Sequence, residues 1–137
     1  MICSFSRYFP DKRPTNFKAK ILDGSKKTTI RAYRKGQRQW QLSDIMDLFI
    51  GNYYQPDYHK FAKSTLAHIT PILIEKDWTI TEISPLHQQL RQLPTLQVAD
   101  NDGLNLDDFM LWFGPKVPFN GLILKWAQPV INIEGVK

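Results

Sequence analysis

Gly24-Ser25-Lys26-Lys27-Thr28-Thr29-Ile30-Arg31 is the stretch on which the reading of this chain turns. It joins a chain-reversing glycine to two lysines, two threonines and an arginine. On its N-terminal side, Pro14-Thr15-Asn16 has the form of a helix start, and Phe17 and Ile21 follow at i,i+4 on one face. Gly24 then falls where a helix ends, because glycine tolerates the left-handed backbone of a C′ position. A short helix over 15–23 is therefore expected. On the C-terminal side, residues 26–33 alternate and are rich in threonine, which predicts a strand. In that strand Lys27, Thr29, Arg31 and Tyr33 share one face and Thr28 and Ile30 the other, with Lys26 at the turn.

The stretch also lies in the most basic part of the molecule. Of the 18 Lys and Arg, eleven fall in residues 1–38 beside only two acids, although the whole chain carries a net charge of only +5. Such a segment favours phosphate-bearing partners without base specificity, or else is a solvated basic face. The 137-residue length is that of one domain, and 42% hydrophobic with 12% aromatic residues is enough for a core. Cys3 is the single cysteine, which excludes an intrachain disulfide and a cysteine-based metal site. His59, His68 and His87 have no ligand spacing, so no metal or other cofactor is expected. With no apolar run of membrane-spanning length and no signal-peptide pattern, a soluble, cytoplasmic chain without a membrane partner is expected.

Further along, Arg34 to Gln39 reads as a basic loop, 45–50 as a strand ending at Gly51, and 52–60 as a tyrosine-bearing loop. Residues 66–75 read as a strand in which Pro71 calls for an edge or a bulge. Residues 78–83 read as another strand. Leu86, Leu90 and Leu93 at helical spacing favour a helix from Pro85. Residues 99–104 read as an acidic turn. Asn105 with Asp108 has capping-box spacing before a helix over 106–113. Phe119-Asn120-Gly121 reads as a turn before a last strand over 122–126. The count is five or six strands with two or three short helices, which is an α+β domain of small-barrel type. Trp112, Phe113 and Trp126 are assigned to its core.

These elements together resemble the ASCH domain, a member of the PUA-like superfamily with a small β-barrel. The resemblance rests on the Gly-Lys-Thr-Arg pattern of 24–31, on Trp40 and Asp44 before the strand 45–50 (with Ser43 where the family often has glycine), and on Asp102-Gly103-Leu104 before the helix 106–113. It covers about residues 13–127 of a single domain, and the stretches 52–62 and 84–98 look longer than in minimal members. It implies binding of RNA or a nucleotide-like ligand in a cleft beside the barrel. One bacterial branch hydrolyses N4-acetylcytidine with a lysine, a threonine and a glutamate. Lys26 and Thr29 match the first two. Asp102, or else Asp100, stands nearest to the glutamate.

Two functions follow as expectations. A binding module would use Lys26, Lys27, Thr29, Arg31, Arg34 and the loop tyrosine Tyr54. An amidohydrolase, or another hydrolase acting on nucleosides or RNA, would use Thr29 as nucleophile, Lys26 as base and Asp102 as the acid assisting the departing amine. A third reading is an interaction protein with an inert cleft. Arg31 has a fork suited to phosphate or a base edge, with an ion pair to Asp102 or Asp44 as its structural alternative.

Overall fold

The computed structural model describes residues 1–134. Eight strands and three short helices make the α+β architecture, with more strands than the five or six expected. In chain order these are β1 (Ile2–Phe5), α1 (Phe17–Leu22), β2 (Thr28–Ala32), β3 (Ile45–Ile50), β4 (His59–Ile74), β5 (Ile80–Ile83), β6 (Gln89–Leu93), α2 (Thr95–Asn101), α3 (Leu106–Phe113), β7 (Phe119–Trp126) and β8 (Ile131–Asn132). A single 3₁₀ turn, Gly114–Lys116, joins α3 to the chain before β7.

The sheet is mixed and is organised around β4. The first half of this 16-residue strand pairs antiparallel with β3 and β8, and its second half pairs with β7 and β5. β3 carries β1 as a parallel neighbour, and β7 carries β2 antiparallel. One line of pairing runs β1-β3-β4-β5-β6, and a branch from β4 through β7 to β2 gives a second, β1-β3-β4-β7-β2. The end strands of that second line, β1 and β2, have no ladder between them among the described residues. Phe5, Phe17, Met46, Leu48, Phe61, Leu66, Leu124 and Trp126 fill the core between these strands and α1.

Local sequence explains most of these elements. Helix α1 ends at Asp23, and Gly24 takes a φ of 84° to turn the chain into β2. Ser43 has a φ of 71°, a left-handed position where glycine costs least. Its N–H binds the Leu66 carbonyl, which holds the turn into β3 against β4. Pro71 faces Leu122 of β7, and β4 gains β5 on its other side only from Ile72 onward. The proline therefore sits where one edge is open, and the bulge of this strand falls at Leu66/His68 instead. Asn105 caps α3 by accepting from the Asp108 N–H at 2.8 Å.

Four expectations are corrected. The leucines at 86, 90 and 93 belong to a turn and to β6, which pairs with β5. Leu86 and Leu90 are exposed, so their helical spacing buries no face. Residues 95–101 form α2, so the acidic turn shrinks to the helix end at Asp102-Gly103. Phe119-Asn120-Gly121 lies inside β7 and is not a turn, because all three residues pair with β4 and Gly121 also faces Ala32 of β2. Strands β1 and β8 also stand where no strand was expected. No helix of the described residues is long and apolar enough to cross a membrane.

Candidate functional site

The octapeptide is pinned at both ends. The Lys26 N–H donates to the Lys20 carbonyl at the end of α1, and the Lys27 N–H donates to the Asn101 carbonyl at the end of α2, at 2.7 Å. This clamp aims the Lys26 side chain inward, where it is only 2% exposed. The ammonium lies 4.4 Å from the Phe17 ring centre and 5.6 Å from that of Phe5. Nζ donates to the Asp102 carbonyl at 2.7 Å and to Asp102 Oδ1 at 3.0 Å. Thr28 Oγ1 approaches the same carboxylate oxygen at 3.5 Å.

Asp102 is positioned by backbone chemistry. It closes α2, and Gly103 follows with a φ of 78°. A Cβ at residue 103 would lie 3.0 Å from Lys26 Cβ, so glycine permits this close approach as well as the turn. The Gly103 carbonyl also accepts from Lys20 Nζ at 2.8 Å, which fastens the turn to α1.

Lys26 and Asp102 open onto a cavity of about 390 Å³. It lies between the facing edges of β1 and β2, against α1, α3 and the 3₁₀ turn. Arg31 crosses the gap between those edges. Its Nη2 donates to the Ser4 carbonyl of β1 at 2.6 Å and its Nε to Thr29 Oγ1 at 2.9 Å. Its guanidinium also stands 5.1 Å from the Phe5 ring centre. Trp112, Phe113 and Phe119 form an aromatic wall, and Lys116 stands at the margin. A second cavity of about 530 Å³ shares Ser4, Phe5 and Ser6 with the first and continues toward Arg7, Asn52 and Gln55.

Of the residues expected in the site, Lys26, Thr29, Arg31 and Asp102 line this one cavity. Asp100 lies on a different depression beside Lys20 and Asn105, so Asp102 is the carboxylate facing Lys26. Lys27, Arg34 and Tyr54 are not among the lining residues. Lys27 is exposed, Tyr54 is 88% exposed, and Arg34 is spent on Gln37 and on its own loop. Arg31 forms neither of the expected ion pairs: its partners are a carbonyl and a hydroxyl, and Asp44 pairs with Arg38. Trp112 and Phe113, expected only in the core, also face the cavity, as do Phe5 and Lys116. The adjacent Trp112 and Phe113 at the end of α3 were the available signal for this wall.

Burial works against both charges of the central pair. It pushes the Lys26 ammonium below the ordinary lysine value, and the attraction of Asp102 only partly offsets this. It pushes the Asp102 carboxyl above the ordinary aspartate value against the pull of Lys26 and Arg31. The stability consequences have opposite signs. For the carboxyl, the folded chain holds its proton longer than the unfolded one, so stability falls as pH rises above about 3.8. For the ammonium, the folded chain releases its proton sooner, so stability rises as pH climbs toward 10.5. Denaturation curves across pH for the wild type and for the Lys26→Met/Asp102→Leu double variant check this. The difference between them should dip across the middle of the range, and parallel profiles would contradict both shifts.

No protein-family model matches the chain, and neither the curated proteins nor the solved structures provide a match.

Proposed function

We propose that the protein is a nucleotide- and RNA-binding domain of ASCH-like, PUA-like barrel type, which takes a nucleotide into the cavity beside Lys26, Thr29 and Arg31. The carrying observation is that a lysine buried with its carboxylate partner faces the same cavity as Arg31 and an aromatic wall. A volume of about 390 Å³ falls in the range of small-ligand sites. The rings of Trp112, Phe113 and Phe119 offer faces for a base, and Arg31 offers a fork for its polar edge or a phosphate. The adjoining cavity past Ser6 provides room for a flanking nucleotide, which favours a strand of RNA over a lone nucleoside. The strand path β1-β3-β4-β7-β2, with Arg31 bridging its outer edges, supports the barrel reading.

Calorimetric titration with ribonucleotides and short single-stranded oligonucleotides tests this. Arg31→Ala should weaken binding about 10- to 100-fold, since hydrogen bonds to charged groups contribute about 1.5–3 kcal/mol. Wild-type affinity in that variant, or affinity indifferent to added salt, would remove the cavity from consideration.

One observation favours hydrolysis as a second reading: Asp102 reaches Lys26 despite being a methylene shorter than glutamate. Its depressed basicity gives Lys26 a larger neutral fraction at neutral pH, as a general base requires. Thr29 Oγ1 would then add to an acetyl carbonyl as its proton passes to Lys26; the C–N bond would break as Asp102, acting as the acid, protonates the departing cytidine amine, Lys26 would return its proton to Asp102, and water would release acetate from the threonine ester. Unchanged N4-acetylcytidine after incubation at high protein concentration would eliminate that reading.

A further inference from the structure

Three cations, Lys26, Arg31 and Lys116, line the cavity, and Asp102 is its single carboxylate. Lys26 occupies that carboxylate in a buried ion pair, so this pair brings little net charge to the space. The other two cations have no carboxylate partner among the described residues. Arg31 spends its hydrogen bonds on neutral oxygens, the Ser4 carbonyl and Thr29 Oγ1. Lys116 has no hydrogen bond or ion pair among the described residues and stands 5.5 Å from the ring centres of both Trp112 and Phe113. Some other partly buried cations are paired, Arg7 with Asp57, Lys18 with Glu134 and Lys60 with Asp47, whereas Lys20 and Arg34 bind neutral oxygens as Arg31 does. Arg31 and Lys116 thus bring two charges without carboxylate partners among the described residues to one concave space.

The two cations also act on one another. Partial burial lowers the basicity of Lys116, and the charge of Arg31 lowers it further. Like charges held within range of each other at a low-dielectric wall are relieved by an anion placed between them.

We propose that the cavity accepts an anionic tetrahedral oxyanion, the phosphate of a nucleotide, between Arg31 and Lys116, so that its ligand is phosphorylated and not a neutral nucleoside. This rests on the nucleotide-binding reading above and narrows its ligand class. Arg31 supplies a planar fork and Lys116 a point charge, a pairing suited to phosphate oxygens. The aromatic wall beside Lys116 then lies next to the phosphate, where the attached base is within reach of the rings. Lys116 becomes a specificity-determining residue.

The test titrates the protein at low salt with the four ribonucleosides, their 5′-monophosphates and inorganic phosphate, for the wild type and for Lys116→Met. Lys116 is on the surface of a 3₁₀ turn, so its loss should leave the fold intact. At least one monophosphate should bind ten-fold or more tightly than its nucleoside, and inorganic phosphate should displace it. Lys116→Met should weaken the monophosphate about 5- to 10-fold and leave the nucleoside unchanged. Equal affinity for nucleoside and monophosphate, or a Lys116→Met loss common to both, would overturn the assignment while leaving nucleotide binding in place. Binding of inorganic phosphate without any nucleotide would keep the anion site and refute the nucleotide reading. Binding of none of these ligands would refute both.

Discussion

Asp102→Ala should lower the free energy of unfolding by about 3–5 kcal/mol, the cost of removing one member of a buried ion pair. Lys26 would keep its place between the Phe5 and Phe17 rings, but its remaining partner would be a backbone carbonyl. The Lys26 side chain is 2% exposed, so loss of the carboxylate leaves a buried charge with one fewer polar partner. Thr28 would lose its contact with the same oxygen as well. A second substitution separates charge from packing. Replacing the pair together, as Lys26→Met/Asp102→Leu, should recover much of the loss, because an apolar pair of similar volume carries no desolvation cost. Urea denaturation of the three proteins reads the effect directly. A single variant as stable as the wild type would mean that Lys26 finds solvent, and the description of a closed pair would fail.

Gly121→Ala is expected to damage stability and site together. A Cβ on residue 121 would fall 2.5 Å from a ring carbon of Phe119 and 2.6 Å from the Arg31 carbonyl oxygen. The Phe119 ring can turn aside, but Arg31 O is backbone and belongs to the β2–β7 ladder, where Arg31 faces Leu122 and Ala32 faces Gly121. Relief therefore requires β2 to move away from β7. Forcing an extra carbon into a filled space costs about 1–3 kcal/mol. Both disturbed residues line the cavity, so ligand affinity should fall by about ten-fold or more, in parallel with the drop in melting temperature. A normal melting temperature and normal ligand affinity would show that β2 can shift freely, contrary to the packing described.

Much of the site was legible because its chemistry is local. Gly24 announced the helix end, the alternation after it announced β2, and the i,i+2 relation of Thr29 and Arg31 placed them on one face, as their hydrogen bond records. The capping signal at Asn105 fixed α3 just after the Asp102-Gly103 turn. Legibility failed where a partner far along the chain decides the outcome. The leucines of 86–93 carry a helical spacing, but β5 offers a ladder, and residues 89–93 pair with it. Asn120-Gly121 has turn composition, but the need there was for a residue without a side chain between the Phe119 ring and the Arg31 carbonyl. Lys27 and Lys26 are adjacent and chemically alike, and only the clamp by Lys20 and Asn101 determines which of them is buried. Lys116 gave no local signal, because its importance comes from facing Arg31 across a gap that folding creates.

The long strand β4 has a consequence for how the molecule comes apart. Each half of the sheet hydrogen-bonds to a different stretch of the same 16 residues, so neither half owns a complete set of neighbours. The continuous backbone of β4 is what ties the two halves together. A single cooperative transition is therefore expected in urea, with the hollow between β1 and β2 lost in the same step as the sheet.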